Sequence, residues 1–322
     1  MAAAKDRNWR WWTMLSWALM CLGSFVTSMA QEHPSLHGSI EEYDWARQEK
    51  GKLLGRQRAI WIRGELTLNS AVTVVSTWLK FYSRKDMLDE NYIGINIHGV
   101  QTRTGRIRPK FGFNDWEENW YVGFVRPPLV KMQGLSSDVN LLGFVSGFEA
   151  TAGTPEIQIT GALVDPTLDS YQWEPRRMDA SVVRLQGYRS GIILGLNSLS
   201  RGSRPNSPSV SAYGLDLRYT VPQWQFRGEV IHSKSGGMTN QGYYADAFFK
   251  PFGAPKTTFL GRIERAESDS PNMVDSDLVT LGVKQVLTPW LQLDVLHSWG
   301  NHGTLSENSR GWTFQIITFI RF

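Results

Sequence analysis

The chain has 322 residues, of which 34 are Lys or Arg and 30 are Asp or Glu, and it contains one cysteine. This near balance of charge, with no basic tail, gives no indication of a nucleic-acid partner. Beyond the N-terminus no segment has about 18 consecutive apolar residues, so the sequence excludes transmembrane helices. Membrane β-strands remain open, because they need only about 9–11 residues with every second side chain facing lipid.

The first 30 residues have the three parts of an export signal. Lys5, Arg7 and Arg10 form a positive start, and residues 14–26 are apolar. Ser28 and Ala30 then supply the small side chains that a signal peptidase recognises before its cleavage site. We therefore predict a signal peptide over 1–30, cleaved after Ala30, and a single exported domain over 31–322. The one cysteine, Cys21, would leave with the signal, so the mature domain would form neither a disulfide nor a thiolate metal site.

The rest of the chain alternates between apolar and polar residues, which is typical of half-buried strands. In 209–220, for example, Leu215 and Leu217 share one face, and Asp216 and Arg218 share the other. Sixteen strands are predicted, at 36–46, 57–68, 72–82, 91–99, 103–112, 141–150, 155–164, 179–188, 191–200, 209–220, 223–233, 241–251, 256–266, 276–286, 290–299 and 310–322.

The connections between these strands alternate in length. Short links fall near 69–71, 189–191, 221–223, 252–255 and 288–289, and longer polar links at 201–208, 234–240, 266–275 and 300–309. Membrane barrels have short periplasmic turns on one rim and long external loops on the other. The pattern predicts an all-β fold, a transmembrane antiparallel β-barrel of about 16 strands with a long third external loop at 113–139. Fourteen strands are the alternative, because Glu41, Glu42 and Asp44 leave the first strand without a clean lipid face.

The last strand has mostly apolar residues at every second position, namely Trp312, Phe314, Ile316, Thr318, Ile320 and Phe322. It resembles the C-terminal strand by which the barrel-assembly machinery recognises outer-membrane barrels, with Phe322 as the assembly signal. Together with the export signal, this strand predicts the outer membrane of a Gram-negative bacterium, in contact with lipid and lipopolysaccharide.

Several segments resemble the phosphate-selective porin O and P family. They are 104–112, the pair 183–185 and 194–196, and then 228–230, 242–247 and 261–264. The resemblance extends over roughly residues 57–322. It implies a porin without cofactors: a water-filled channel for passive diffusion of small hydrophilic solutes, with a preference for anions such as phosphate, assembled as a homotrimer.

In a pore, selectivity comes from the side chains that line the lumen. The alternation assigns eleven basic and seven acidic residues to that face. The basic ones are Arg63, Arg106, Arg108, Lys110, Arg184, Arg218, Arg227, Lys250, Arg262, Lys284 and Arg321, and the acidic ones are Glu65, Glu156, Asp216, Glu229, Asp246, Glu264 and Asp294. This positive excess predicts a lumen that concentrates anions.

Arg106, Arg108 and Lys110 recur at every second position of the fifth predicted strand, about 6.5–7 Å apart per step. In this register they face water, while Ile107 and Phe111 face lipid. The three resemble the basic ladder of anion-selective porins. The alternative is a solvated strand face in a wide, unselective pore.

The third external loop is predicted to fold into the barrel and to set its constriction. Its charged and aromatic residues are Asp115, Trp116, Glu117, Glu118, Trp120, Tyr121, Arg126 and Lys131. The alternative is an external loop packed on a neighbouring subunit.

Catalysis finds little support in the sequence. His232 and His297 are each followed by a serine, and adjacent residues of a strand point to opposite faces, so these pairs cannot meet. No H-E-x-x-H metal motif is present. We therefore predict neither an enzyme nor a metal site. A non-conducting outer-membrane barrel acting as scaffold or adhesin is the competing function, and an outer-membrane hydrolase ranks below it.

Overall fold

The computed structural model describes residues 34–49, 52–81, 87–113, 123–124, 128–134, 145–165, 178–203, 208–269, 275–302, 305–308 and 311–321. The predicted signal peptide and Phe322 lie outside these residues. No helix in the described part of the chain is long and apolar enough to cross a membrane.

Strands make up most of the described chain. They are β1 (Ser35–Glu49), β2 (Lys52–Asn69), β3 (Val72–Phe81), β4 (Met87–Ile97), β5 (Val100–Ile107), β6 (Val145–Gly153), β7 (Ile157–Asp165), β8 (Ala180–Arg189), β9 (Ile192–Arg201), β10 (Val210–Thr220), β11 (Trp224–Ser235), β12 (Met238–Phe249), β13 (Thr257–Ser268), β14 (Ser276–Thr288), β15 (Leu291–His302), β16 (Leu305–Asn308) and β17 (Gly311–Arg321). One short helix, α1 (Leu129–Gly134), lies in the connection between β5 and β6.

The strands form one closed antiparallel sheet. Each long strand pairs with its neighbours along the chain, and β1 closes the sheet by pairing with β17, from Ser39 opposite Arg321 to Gln48 opposite Trp312. The short β16 pairs with β15, beside the wall that β15 and β17 form directly. The wall formed by the described residues therefore has sixteen strands, with β1 as the first, which confirms the predicted barrel and its strand count.

Alternation along the strands separates a mainly apolar outer face from an inner face that carries most of the charged side chains. On β10, Leu215 and Leu217 are exposed on the outside and Asp216 between them is buried inside. On β17, Phe314 and Ile316 are likewise exposed on the predicted outer face. Closing the ladder leaves no unpaired edge, which is what a membrane requires of a sheet.

Turn geometry limits several of the connections to two residues. His98 and Gly99, between β4 and β5, both have positive φ angles, the conformation that two-residue hairpins need. Gly236 and Gly237 repeat this geometry between β11 and β12. The prediction of a longer link at 234–240 is therefore wrong. β11 and β12 both extend to this two-residue turn, although it lies on the rim where most connections are long.

The fifth strand differs from its prediction in both bounds and register. It runs over Val100–Ile107 rather than 103–112. Thr104 lies opposite Phe148, which is exposed on the outer face, so Arg106 belongs to the outer face as well. Ile107 is fully buried on the inner side. The predictions for Arg106 and Ile107 are wrong, since a shift of one residue exchanges the two faces of a strand.

Two local features explain this shift. The turn at His98 and Gly99 starts β5 three residues earlier than predicted. Pro109 has no N–H to donate to a ladder, and the strand ends before it. The chain then leaves the wall and enters the interior, where Arg108 and Phe111 are both buried. Phe111 therefore does not face lipid, as the sequence predicted.

Candidate functional site in the barrel interior

Parts of the connection from β5 to β6 lie inside the barrel. Its described parts, 108–113, 123–124 and 128–134, are called the inner segment here. The N–H of Gly112 donates to Asn197 Oδ1 on β9 at 2.8 Å, and the N–H of Leu129 donates to Glu264 Oε2 on β13 at 2.7 Å. These contacts join the inner segment to strands that are far from β5 in the sheet.

Apolar side chains hold the inner segment against β6–β12. Phe111, Phe113 and Val130 form one buried cluster with Ile107 at the end of β5. Its members on the wall are Val145, Ala162, Val164, Ala180, Val182, Leu199, Val210, Ala212, Ile231 and Tyr244. Burial of such apolar surface contributes about 25 cal/mol per Å². This part of the interior is packed like the core of a soluble protein.

Arg184 anchors the start of the inner segment. Its guanidinium on β8 binds both carboxylate oxygens of Asp216 on β10, at 2.7 and 2.8 Å, and donates to the carbonyl of Gly112 at 2.5 Å. Asn197, on the strand between them, donates to Asp216 at 2.7 Å. A bidentate arginine–carboxylate pair is strong and directional, so it fixes the position of Gly112.

A second buried network lies further round the wall. Asp246 on β12 sits between Arg227 and Arg262, whose Nε atoms are each 2.7 Å from its carboxylate. The guanidinium of Arg262 lies 3.9 Å from the ring centroid of Phe124 in the inner segment, and that of Arg227 lies 5.3 Å from the ring of Phe248. Pairing of this kind offsets the cost of burying the charges.

Helix α1 is tied to the same wall by charge. Lys131 Nζ lies 3.0 Å from Glu229 Oε2 on β11 and also donates to the carbonyl of Phe113. Glu264 accepts the N–H of Leu129 at the start of the helix. Around the inner segment, three basic side chains therefore face three acidic ones: Lys131, Arg227 and Arg262 against Glu229, Asp246 and Glu264.

The wall from β2 to β6 carries a different array. Arg63 Nη1 lies 3.3 Å from Glu90 Oε2, and Arg103 Nη1 lies 3.8 Å from Glu90 Oε1. Arg103 also pairs with Glu149 at 2.7 Å. Glu149 in turn accepts the N–H of Lys110 at 3.1 Å. Basic and acidic groups thus alternate along this side of the interior.

The predicted pore-lining residues divide into three groups. Eight basic ones lie inside the barrel: Arg63, Arg108, Lys110, Arg184, Arg218, Arg227, Arg262 and Lys284. Arg106 lies on the outer face, and Glu156 is exposed in the turn between β6 and β7. Lys250 and Arg321 are exposed at strand ends.

Sequence reasoning missed several inner charged residues, among them Arg103, Arg201 and three carboxylates, those of Glu41, Glu90 and Glu149. The His98–Gly99 turn was the signal that would have found Arg103 and Glu90, since it sets the register of β4 and β5.

Most of the predicted constriction residues lie outside the described part of the chain. They are Asp115, Trp116, Glu117, Glu118, Trp120, Tyr121 and Arg126. Lys131 is described, and it is buried in its ion pair with Glu229 rather than presented to a solute path.

The histidine–serine pairs are separated by the wall, as predicted. Ser233 is buried inside, while His232 lies opposite Tyr213, which is exposed outside. His297 packs against Trp312 on the outer face. Within the described residues, no group of three or more His, Cys, Asp or Glu side chains is placed to hold a metal ion.

Comparison with known proteins identifies the fold. No protein-family model matches the chain, and no curated protein does. Among solved structures, OmpF of Salmonella typhi, in complex with daunomycin, is 8% identical with a TM-score of 0.68 over 90% of this chain and 97% of that one. The anion-selective porin of Comamonas acidovorans is 9% identical, with a TM-score of 0.65 over 89% and 99% of the two chains.

OmpT, an outer-membrane protein of Vibrio cholerae in its trimer form, is 11% identical, with a TM-score of 0.59 over 90% of this chain and all of that one. At such low identity these similarities show the fold alone, which is the porin-type barrel. The resemblance to the phosphate-selective O and P family stays a prediction.

Proposed function

We propose that this protein is an outer-membrane porin, a water-filled channel through which small hydrophilic solutes diffuse passively. One observation carries the proposal: charged side chains on the inner face, such as Arg63 and Glu65, are partly exposed inside a closed barrel whose outer face is apolar. Half-exposed charges need water, and water along the inside of a membrane barrel makes a channel.

The proposal includes the route to the membrane. Residues 1–30 act as a signal peptide removed after Ala30, and residues 31–322 form the single barrel domain. The barrel-assembly machinery reads the strand that ends at Phe322, and the finished barrel lies in lipid and lipopolysaccharide. Detection of the mature N-terminus at Gln31 by mass spectrometry of outer membranes tests this part, and a protein that keeps Met1 or stays in the cytosol contradicts it.

We propose a preference for anions, phosphate among them. Its support is the pair of partly exposed arginines, Arg63 and Arg103, and the similarity of fold to a porin named as anion-selective. Balanced ion pairs elsewhere in the interior indicate that this preference is modest.

We also propose a homotrimer, supported by charges on the outer face. Asp44 lies opposite Ile316, which is exposed on that face, and Glu42 two residues away forms an ion pair with Arg58. A charge facing lipid costs about 2–4 kcal/mol near the bilayer midplane, and contact with another subunit would remove it from lipid. A trimer form of a protein with this fold is consistent with that arrangement.

Planar-bilayer recording of the purified protein tests the channel. We expect stepwise conductance increases and, in a KCl gradient, a reversal potential on the anion-selective side. A folded barrel that inserts without conducting would contradict the proposal.

The second candidate is a non-conducting barrel that acts as scaffold or adhesin. Its support is the apolar cluster inside the wall, in which Phe111 and Phe113 fill space that a wide pore would leave to water. The same recording separates the two functions. We propose no catalytic role for this barrel, including that of an outer-membrane hydrolase.

A further inference from the structure

Exposure along the inner face of β2 falls steeply from one rim of the barrel to the other. Towards the rim of the short turns, the side chains of Glu65 and Arg63 are 40% and 29% exposed. Further along the same face, Trp61 and Ala59 are 2% and 0% exposed. Water therefore reaches this strand from the rim of the short turns, which membrane barrels place in the periplasm.

Strands β10 and β14 show the same gradient. Arg218 and Lys284, towards the rim of the short turns, are partly exposed. Asp216 and Thr280, further along the inner faces of these two strands, are buried. The partly exposed charges of these inner faces thus lie towards one end of the barrel, on more than one side of its interior.

Beyond this hydrated end, the interior is covered all the way round. Each of the sixteen wall strands has an inner-face residue that is at most 5% exposed. The rings of Tyr43 and Trp61, on the adjacent strands β1 and β2, are 0% and 2% exposed. Side chains of this size become fully buried only when other groups pack over them. A wide, water-filled lumen would instead leave part of this zone to solvent.

Helix α1 covers the wall of β12–β14 near the rim of the long connections. Leu129 is fully buried in a cluster with Ala266 and Leu278, which lie close to the ends of β13 and β14 at this rim. Val130 packs on the backbone of β12, where a Cβ added to Gly242 would lie 3.0 Å from Val130 Cγ2. The helix therefore lies between the hydrated end of the interior and this rim.

The start of the inner segment is fixed more firmly than α1. Gly112 is bound by Arg184 and by Asn197, and the two neighbouring phenylalanines belong to the large apolar cluster.

The printed polar contacts of α1 are one bond from Leu129 to Glu264 and the contacts of Lys131 with Glu229 and the carbonyl of Phe113. A buried ion pair adds little net stability, because water hydrates both charges once they separate. Movement of α1 away from the wall therefore costs less than movement of residues 111–113.

We infer that this conformation is a closed state of the channel, and that α1 is its gate. When α1 leaves β12–β14, the hydrated end of the interior connects with the rim of the long connections. A minor open state, populated at about 0.1–10%, gives brief openings. The inference rests on the proposed channel function, and it differs from a non-conducting barrel because the closed state can open.

A disulfide lock tests the gate in the whole protein. In a Cys21→Ala background, Leu129→Cys and Ala266→Cys place two thiols in the cluster that attaches α1 to β13. Oxidation should tie α1 to the wall and abolish stepwise conductance in planar bilayers, and reduction should restore it.

The matched control is Val182→Cys with Leu199→Cys. These residues lie opposite each other on β8 and β9 and are buried to the same degree. Oxidation joins two wall strands there and leaves α1 untied, so conductance should not change.

Weakening the attachment should have the opposite effect. Leu129→Ser removes the apolar side chain that holds α1 to β13 and β14. It should raise the fraction of time spent open by about tenfold or more, because buried apolar surface stabilises only the closed state.

Thiol labelling gives a readout that does not depend on disulfide formation. In the Cys21→Ala background, Leu129→Cys should react with a small, positively charged methanethiosulfonate reagent about a hundredfold more slowly than Glu65→Cys, as expected when the open state is populated at about 1%.

The outcomes separate the gate from the channel. If neither the wild type nor Leu129→Ser conducts, the channel function itself is overturned. If the wild type conducts and the oxidised lock conducts equally, or if Leu129→Cys reacts as fast as Glu65→Cys, the role of α1 as gate is overturned and the channel function stands.

Discussion

Lys131 and Glu229 form an ion pair of 3.0 Å across the barrel interior, and both side chains are buried. Lys131 belongs to helix α1 in the connection between β5 and β6, whereas Glu229 belongs to β11. Removing one partner of such a pair costs about 3–5 kcal/mol, because a charge is left buried and unpaired, while replacing both with apolar residues is often neutral. The pair therefore determines where α1 lies more than how stable the barrel is.

Breaking this pair should loosen the inner segment. Glu229→Leu should increase fluctuations of the single-channel current and lower the temperature at which the folded band disappears in heat-modifiability gels. The double variant Lys131→Met, Glu229→Leu should recover most of that thermal loss. Equal effects of the single and double variants would show that the two residues are not coupled.

The corrected register of β5 predicts which positions tolerate charge. Thr104 lies opposite the exposed Phe148 on the outer face, so Thr104→Lys should cost about 2–4 kcal/mol near the midplane and reduce assembly. Gln101→Lys is the control, three residues away on the inner face. The yield of folded, heat-modifiable protein measures both effects. A lower yield for Gln101→Lys than for Thr104→Lys would support the register predicted from the sequence.

The charged outer face of β1 and β2 should be needed for subunit contact. The double variant Glu42→Leu, Arg58→Leu removes an ion pair from the outer face of the barrel. Elsewhere this outer face is mainly apolar and meets lipid. We expect folded monomers in place of trimers by light scattering in detergent. Tyr213→Leu, an exposed outer residue of β10, should leave the oligomer intact. Trimers that persist in the double variant would place the contact elsewhere.

Deletion of Phe322 should impair assembly far more than conductance. The proposed assembly signal is lost, and a barrel that fails to close leaves an unpaired edge in lipid. Phe252→Ala, which removes an exposed aromatic from the connection between β12 and β13, is the matched control. Levels of folded outer-membrane protein measure the effect, and normal levels after the deletion would refute the role of Phe322.

The wall of the barrel could be predicted because alternation is a local property. Leu215, Asp216 and Leu217 show which residue faces which side without knowledge of any partner strand. On β5 this information is ambiguous, since Thr102 and Thr104 are polar on the outer face while Ile107 is apolar on the inner one. Pairing with β6 decides the register there, and pairing is not local.

The arrangement of the interior could not be predicted for a similar reason. Whether Arg184 or Arg227 meets solute depends on what covers it, and the cover comes from distant parts of the chain. The bond from Gly112 to Asn197 spans 85 residues of sequence and that from Leu129 to Glu264 spans 135. No periodicity along a single strand carries information about such contacts.

The pairing of β1 with β17 also affects the rate at which the chain folds. Ser39 and Arg321 lie side by side, so strands from opposite ends of the chain meet. Contacts so far apart in sequence give a high contact order and slow folding. Until β17 is in place, one side of β1 has no partner strand, and an unpaired strand edge invites pairing with other chains. The chain therefore needs protection from aggregation until this seam closes.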